Sequence, residues 1–391
     1  MRATEIRLST AEEKQIMKQK ILFIFGTRPE AIKMAPLIIE FQKHSGEFET
    51  HICVTAQHRQ MLDQVLQVFD INPDYDLDLM EEGQSLLQLT ARVFSGLEKI
   101  FSEVKPDWVL VQGDTSTVMA ASVAAFYAGI KVGHVEAGLR SHDRYAPFPE
   151  EINRRIASVT ADLHFAPTEA ARRALLAEGI DDKMIHVTGN TVIDALLWVR
   201  EKVRQKQPDI ATRLKEKLGV KRMILVTGHR RESFGEGFEQ ICLALKDIAE
   251  QQKDTVIVYP VHLNPNVREP VNRILNGHDN ILLIEPLSYT DFVWLMDRSY
   301  LILTDSGGVQ EEAPSLGKPI LVMRDVTERM EGIEAGTAKL VGTDRQKILS
   351  ETSRLLTDRT EYDRMGQANS PYGDGKSSKK ILDIISPKSL P

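Results

Sequence analysis

From Lys20 onward the sequence repeats one theme: a short apolar, β-rich run, a turn, then a longer stretch with helical spacing. KILFIF, THICVT, DWVLVQ, KVGHVE, LHFAP and IHVTG are the first six such runs, and each is predicted to be a strand. They are apolar throughout instead of alternating in and out, which marks strands buried on both faces and hence a parallel sheet. Strand–helix alternation of this kind specifies a doubly wound α/β layer. After a polar helical stretch near 195–219 the theme restarts with RMILVT, TVIVYP, NILLIE, YLILTD and PILVM.

At 391 residues the chain exceeds what one hydrophobic core usually organises, so two domains are expected. The junction is placed in 203–220. Residues 20–200 are read as the N-terminal domain, rejoined by a C-terminal helix in 370–391, and residues 201–369 as the C-terminal domain. Ligand-binding loops at the strand carboxyl ends then face each other across a cleft. Residues 1–19 form an appendage, in which Ser9 with Glu12 or Thr10 with Glu13 can cap a short helix. Disorder there is the open alternative.

Charge narrows the function. The 49 Lys and Arg against 56 Asp and Glu leave a net charge of −7, a poor balance for wrapping nucleic acid or an anionic membrane. An anion site must therefore be built locally. Cys53 and Cys242 are the only cysteines, which excludes a disulfide scaffold and a cysteine-rich zinc site and suits a reducing cytosol. The polar N-terminus has no secretory apolar region, and no stretch reaches the roughly 18 apolar residues of a membrane span. A cytoplasmic protein is expected.

Cations gather at the predicted strand ends. The first strand is followed by Gly26-Thr27-Arg28-Pro29-Glu30, with Lys33 a turn into the helix. Gly26 permits a tight turn, Pro29 suits a helix start, and Arg28 with Lys33 beside a helix N-terminus makes an anion site. A surface salt bridge is the plain alternative for Arg28. Gly228-His229-Arg230-Arg231-Glu232 puts an imidazole and two more cations at another strand end. Thr304-Asp305-Ser306-Gly307-Gly308 lets backbone amides approach a phosphate, and Glu311 and Glu312 are placed in the first turn of the next helix, able to accept from ribose hydroxyls. Simple dipole compensation would also put acids there.

The first half supplies carboxylates at strand ends: Asp114 in QGDT, Glu136 in HVEAG, and Glu150 with Glu151 after Pro149. Acids around an anion cleft repel the ligand, so proton transfer explains them better than structure does. Helix N-capping by Asp114 and dipole compensation by Glu150 remain the structural alternatives. His134, Glu136, His142 and Asp143 lie close in sequence, but no metal-ligand spacing such as HExxH occurs, and no metal is expected. GxGxxG is also absent, so NAD is not expected.

The segments GTRPEAIKMAPLI, TAQHRQMLDQVL, GDTST, GHVEAGLRS, PFPEEINRR, TGNTVIDAL, TGHRRESFGEGF, YPVHLNPNVREP and LTDSGGVQEEAPSLGKP occur in that order between about Lys20 and Gly375. In this the chain resembles the non-hydrolysing UDP-N-acetylglucosamine 2-epimerases. The resemblance implies a GT-B-like α/β fold, two doubly wound Rossmann-like domains facing across a cleft, usually in a homodimer. It implies interconversion of UDP-GlcNAc and UDP-ManNAc for bacterial surface polysaccharide, with no cofactor. Arg28, His229, Ser306, Gly307, Gly308, Glu312 and Arg329 would hold the UDP, with Lys33 and Phe292 beside them. Asp114, Glu136 and Glu150 would be the acid/base candidates, and His229 would assist UDP departure. A second UDP-GlcNAc would act as allosteric activator through Gln57 and Gln60, with Gln84, Arg230, Glu232 and His262 also assigned. The chain departs from the usual pattern at Met330, where Pro is common, at Phe148, where Trp is common, and in its N-terminal extension.

The implied chemistry accounts for the residue types. C2–H of this sugar is not adjacent to a carbonyl, so it resists direct deprotonation. Elimination of UDP to a 2-acetamidoglucal, then re-addition with a proton delivered to the other face, inverts C2 without oxidation. A hydrolysing epimerase, a GT-B glycosyltransferase and a catalytically silent UDP-sugar sensor are the rivals.

Overall fold

A computed structural model of the chain describes residues 18–55, 59–79, 81, 83–367 and 369–386. The first seven strands are β1 (Gln19–Phe25), β2 (Phe48–Val54), β3 (Tyr75–Asp76), β4 (Trp108–Gln112), β5 (Lys131–Val135), β6 (Leu163–Ala166) and β7 (Ile185–Val187). The remaining six are β8 (Arg222–Thr227), β9 (Thr255–Pro260), β10 (Ile281–Ile284), β11 (Leu301–Thr304), β12 (Ile320–Val322) and β13 (Ala338–Leu340). They form two sheets, ordered β3-β2-β1-β4-β5-β6-β7 and β10-β9-β8-β11-β12-β13, with neighbouring strands parallel. This is the expected GT-B-like architecture of two doubly wound layers.

The apolar runs are buried as their composition requires: Ile21 to Phe25 of β1 and Met223 to Val226 of β8 have no exposed surface. β3 and β13 are absent from the sequence-based prediction. Each is only two or three residues long and carries no apolar run to announce it. The segment read as the junction contains a helix of its own, Asp209–Leu218. Its Ile210, Leu214 and Leu218 join one continuous apolar cluster with Leu196 and Val199 from the helix before it and Val293 and Met296 from the second half.

In each sheet the strand order reverses beside a central strand, β1 against β4 and β8 against β11, which is where this topology opens a crevice for ligands. Buried carboxylates fasten both places. Glu30 accepts from the amides of Gly26 (3.2 Å) and Thr27 (2.7 Å) and from the hydroxyl of Thr115 (2.8 Å), so the loops after β1 and β4 are held together. Asp305 accepts from the amides of His229 (2.6 Å) and Arg230 (2.8 Å), joining the loops after β8 and β11. Gly26 is needed for crowding rather than for the expected turn freedom. A Cβ there would lie 2.1 Å from Thr55 Oγ1 and 2.9 Å from Thr117 Oγ1.

After the second sheet the chain returns to the first. The helix Ser377–Ile385 lies against the helices Arg28–Lys43 and Thr191–Gln205, burying Ile381, Leu382 and Ile385. Its first two amides, Ser377 and Ser378, donate to the buried carboxylate of Asp194 (3.2 and 2.8 Å), which satisfies groups a helix start leaves open. Asp194→Ala is expected to cost about 1–2 kcal/mol by removing these acceptors. Urea denaturation at pH 7 checks this, and an unchanged midpoint counts against the anchoring role.

Candidate active site

Two cavities open between the carboxyl ends of the sheets. One, of about 690 Å³, is lined by Arg28, Ile32, Tyr289, Phe292, Ser306, Gly308 and Glu312, with His229 and His262 at one side. The other, of about 530 Å³, is lined by Asp114, Glu136, Arg140, Arg154, Asn190 and Arg230. Lys33, Glu311 and Arg329 line both, so two cations and a carboxylate stand where the cavities meet. A further cavity of about 780 Å³ lies between the helix ends around Phe101 and Tyr127, remote from these strand ends, and none of the acid/base candidates lines it.

The boundary charges are paired. Lys33 Nζ is ion-paired with Glu136, and Arg329 Nε donates to Glu311 Oε1 (2.8 Å). Between the pairs, Asn190 Nδ2 donates to Glu136 Oε2 (2.9 Å) and to Glu311 Oε2 (3.0 Å). Burial pushes the Glu136 carboxyl up, but the Lys33 ammonium, the Arg329 guanidinium and the Asn190 amide outweigh it and hold Glu136 below the usual carboxylate range. Burial wins at Glu311, whose carboxyl is raised in spite of Arg329 and Lys33. Glu136 also has φ +64°, a left-handed backbone that non-glycine residues avoid, and such strain collects at functional sites.

Asp114 follows β4 after Gly113, whose φ is +82°. Thr115, not Asp114, caps the next helix, its hydroxyl accepting from the amide of Val118 (3.3 Å). The structural alternative for Asp114 therefore falls, because the residue after it already fills the cap. Its carboxylate is instead ion-paired with Arg154, and Asn153 Nδ2 donates to its carbonyl (3.0 Å). Burial raises the Asp114 carboxyl above its ordinary value even against Arg154. His134, buried and held neutral with its pKa lowered to about 4 chiefly by that burial, sets Nε2 2.8 Å from the carbonyl of Gly113. Among the described residues no group of three or more His, Cys, Asp or Glu is placed to hold a metal ion.

The helix Gly307–Glu312 begins directly after Ser306, so Gly307 and Gly308 are its first residues. Glu311 and Glu312 therefore fall in its last turn, not the first turn expected from the sequence, and dipole compensation cannot account for them. Burial lifts the Glu312 pKa to about 8, and Tyr289 Oη donates to its Oε2 at 3.4 Å. His229 Nδ1 stands 3.3 Å from Asp305 Oδ1, and its ring stacks on His262 with centroids 5.5 Å apart. Among the described residues Arg28 forms no ion pair, and it lines the cavity of about 690 Å³.

Other sequence candidates lie elsewhere. Glu150 opens the helix Glu150–Thr160 and lines neither cavity, while the adjacent Glu151 is fully buried against Arg155 and the amide of Ser141. Glu232 is bound by Arg324 Nε (2.6 Å). Gln84 precedes the Ser85 cap of the helix Leu86–Val104 and lines neither cavity. Gln57 and the Gln60 side chain lie outside the described residues. Sequence reasoning did not single out Asn190, Arg154 or Asp305; the only signal was that Asn190 precedes a helix and Asp305 ends a strand.

The Glu312 carboxyl sets a stability trend. With its folded pKa near 8 and an ordinary value of 4.5, the folded state keeps a proton that the unfolded chain releases. Stability in the absence of nucleotide then falls as pH rises through that window. Glu312→Gln removes this contribution, so the variant should match wild type near pH 4.5 and exceed it at pH 8, by on the order of a few kcal/mol at most. Denaturation at pH 5, 6.5 and 8 reads the difference, and a gap that does not widen with pH refutes the assignment.

Comparison with known proteins converges. The family model for UDP-N-acetylglucosamine 2-epimerase matches residues 40–386. The UDP-N-acetylglucosamine 2-epimerase of Escherichia coli K12 is 58% identical over 374 residues, covering 94% of this chain and 98% of that protein. The crystal structure of UDP-GlcNAc 2-epimerase from Neisseria meningitidis bound to UDP-GlcNAc is similar with a TM-score of 0.82 and 49% identity, over 94% of this chain and 99% of that one. The Methanocaldococcus jannaschii UDP-GlcNAc 2-epimerase in complex with UDP-GlcNAc and UDP gives 0.74 and 35%, over 94% and 99%. With its family model, its relatives and its two facing sheets in agreement, the chain belongs to the UDP-N-acetylglucosamine 2-epimerase family and is an isomerase.

Proposed function

We propose that the protein interconverts UDP-N-acetylglucosamine and UDP-N-acetylmannosamine without hydrolysis, by eliminating and re-adding UDP through a 2-acetamidoglucal. The observation that carries this is the shared lining of the two cavities. Lys33 and Arg329 stand between an aromatic, Glu312-bearing cavity suited to a nucleoside and a carboxylate-bearing cavity suited to a sugar. A diphosphate belongs at such a boundary, where two cations stabilise the charge that grows as it leaves.

The steps balance without a redox partner. A carboxylate takes the C2 proton, the C2–H electrons become the C1–C2 double bond, and the C1–O electrons leave with UDP. A carboxylic acid then delivers a proton to the opposite face of C2 while a UDP oxygen re-forms the bond to C1. The Glu136 carboxyl is held below its ordinary range and that of Asp114 is pushed above it, and environments that separate two carboxyls in this way are what tell a base from an acid. We assign Glu136 as the base and Asp114 as the acid in the direction from UDP-GlcNAc. His229, braced by the buried Asp305, faces the nucleotide side and assists departure of the diphosphate. Substrate takes Lys33 and Arg329 from their carboxylates, so nucleotide binding itself frees Glu136.

Residues 20–200 with the returning C-terminal helix, and residues 201–369, are proposed as the two domains that close on the substrate. Arg230 and His262, at the cavity margins, keep the second-site activator reading open to test, as does a homodimer. Production of ManNAc units for surface polysaccharide is the role this activity would serve.

Incubation with UDP-GlcNAc in D2O, followed by NMR, tests the reading. UDP-ManNAc with deuterium at C2 is expected; free ManNAc would mean hydrolysis, and no exchange would mean a transferase or a binding protein. Positional isotope exchange must show the C1–O bond breaking. Asp114→Asn and Glu136→Gln are each expected to lower kcat about 100- to 10,000-fold. Near-normal turnover in both would overturn their assignment.

A further inference from the structure

Asn190 is 3% exposed and ends the loop between β7 and the helix Thr191–Gln205. Its Oδ1 accepts from the amide of Val192 (3.0 Å), capping that helix, and its own amide donates to the carbonyl of Tyr372 (2.7 Å). With the oxygen committed to the cap, Nδ2 must face the cleft. There its two hydrogens reach two carboxylates, Glu136 from the end of β5 and Glu311 from the helix after β11, 121 residues further along the chain. The opposite orientation would set an oxygen against both carboxylates and an NH2 against an amide N–H. The neighbouring Gly189 packs closely on the returning chain, since a Cβ there would lie 2.7 Å from Ser377 Oγ and 3.1 Å from Gly373 Cα.

Given the epimerase activity proposed above, we infer that Asn190 is a positioning residue, whose amide fixes the Glu136 carboxylate and ties it to Glu311 on the second sheet. Two carboxylates that share one cleft repel each other, and a donor shared between them is what lets both remain in place. The helix carrying Glu311 also carries Gly307, against which Arg329 packs. A shift of that helix on nucleotide binding is thereby felt at Glu136, through a single side chain. Asn190 touches Glu136 and does not itself transfer a proton.

Capping alone would also keep Asn at this position, and Asn190→Ser separates the two roles. Serine caps a helix as well as asparagine does but cannot reach two carboxylates with donors. Asn190→Ser should keep the wild-type melting temperature within a few degrees and KM for UDP-GlcNAc within about threefold, while kcat falls about 10- to 100-fold, the worth of a hydrogen bond to a charged acceptor. Asn190→Ala should lose the same activity and melt lower. A readout independent of turnover is the titration of the Glu136 carboxyl, followed by 13C NMR in glutamate-labelled protein and assigned with Glu136→Gln. In Asn190→Ser it should move up by about one pH unit.

An unmoved Glu136 titration overturns the inference whatever the kinetics show, and so does Asn190→Ser with wild-type kcat. If wild-type protein does not interconvert the two UDP-sugars, the proposed activity fails, and the titration still decides the part played by Asn190.

Discussion

Buried charge must be answered by buried charge, and the centre of this molecule is organised by that requirement. Lys33 with Glu136 and Arg329 with Glu311 form two ion pairs at the meeting of two cavities, and each pair joins groups that would be costly to leave alone. The four charged groups thus neutralise one another. A diphosphate bound as proposed would meet Lys33 and Arg329 already partnered. It would exchange one acceptor for another, and the displaced carboxylates would become available to the sugar. The left-handed φ at Glu136 falls at the same place, directly after the end of β5.

The two sheets solve the problem of holding a crevice open in the same way. A single buried carboxylate in each, Glu30 in one and Asp305 in the other, accepts two amides of the loop after the central strand and ties that loop to the one after the neighbouring strand. Each accepts two backbone amides, so the loops that carry Arg28 and His229 are fixed by the interior instead of by ligand. Preorganised loops of this type lower the ordering cost of binding.

Much of this was legible in the chain. Continuous apolar runs such as KILFIF and RMILVT announced central parallel strands, and several residues after them, among them Arg28, Asp114, Glu136 and His229, line the two cavities. Two short edge strands escaped, since Tyr75–Asp76 and Ala338–Leu340 join a sheet by backbone hydrogen bonds that leave no apolar signature. Asp114 and Glu136 were visible as acids at strand ends, but their partners were not. Arg154 is 40 residues from Asp114, and Glu311 is 121 residues from Asn190. Local pattern says that an asparagine before a helix caps it; only the fold says what its other end faces. The first-turn placement of Glu311 and Glu312 failed because the helix start was set by Ser306, two glycines earlier than an acid-rich turn would suggest.

The returning helix Ser377–Ile385 has a mechanical side. The polypeptide passes between the two halves once near 205–209 and again between 366 and 377, so they are joined by two covalent spans. A single tether would permit swivelling in any direction. Under the proposed closure of the two domains, two separated tethers would define an axle and confine the movement to rotation about it, much as paired pins guide a door.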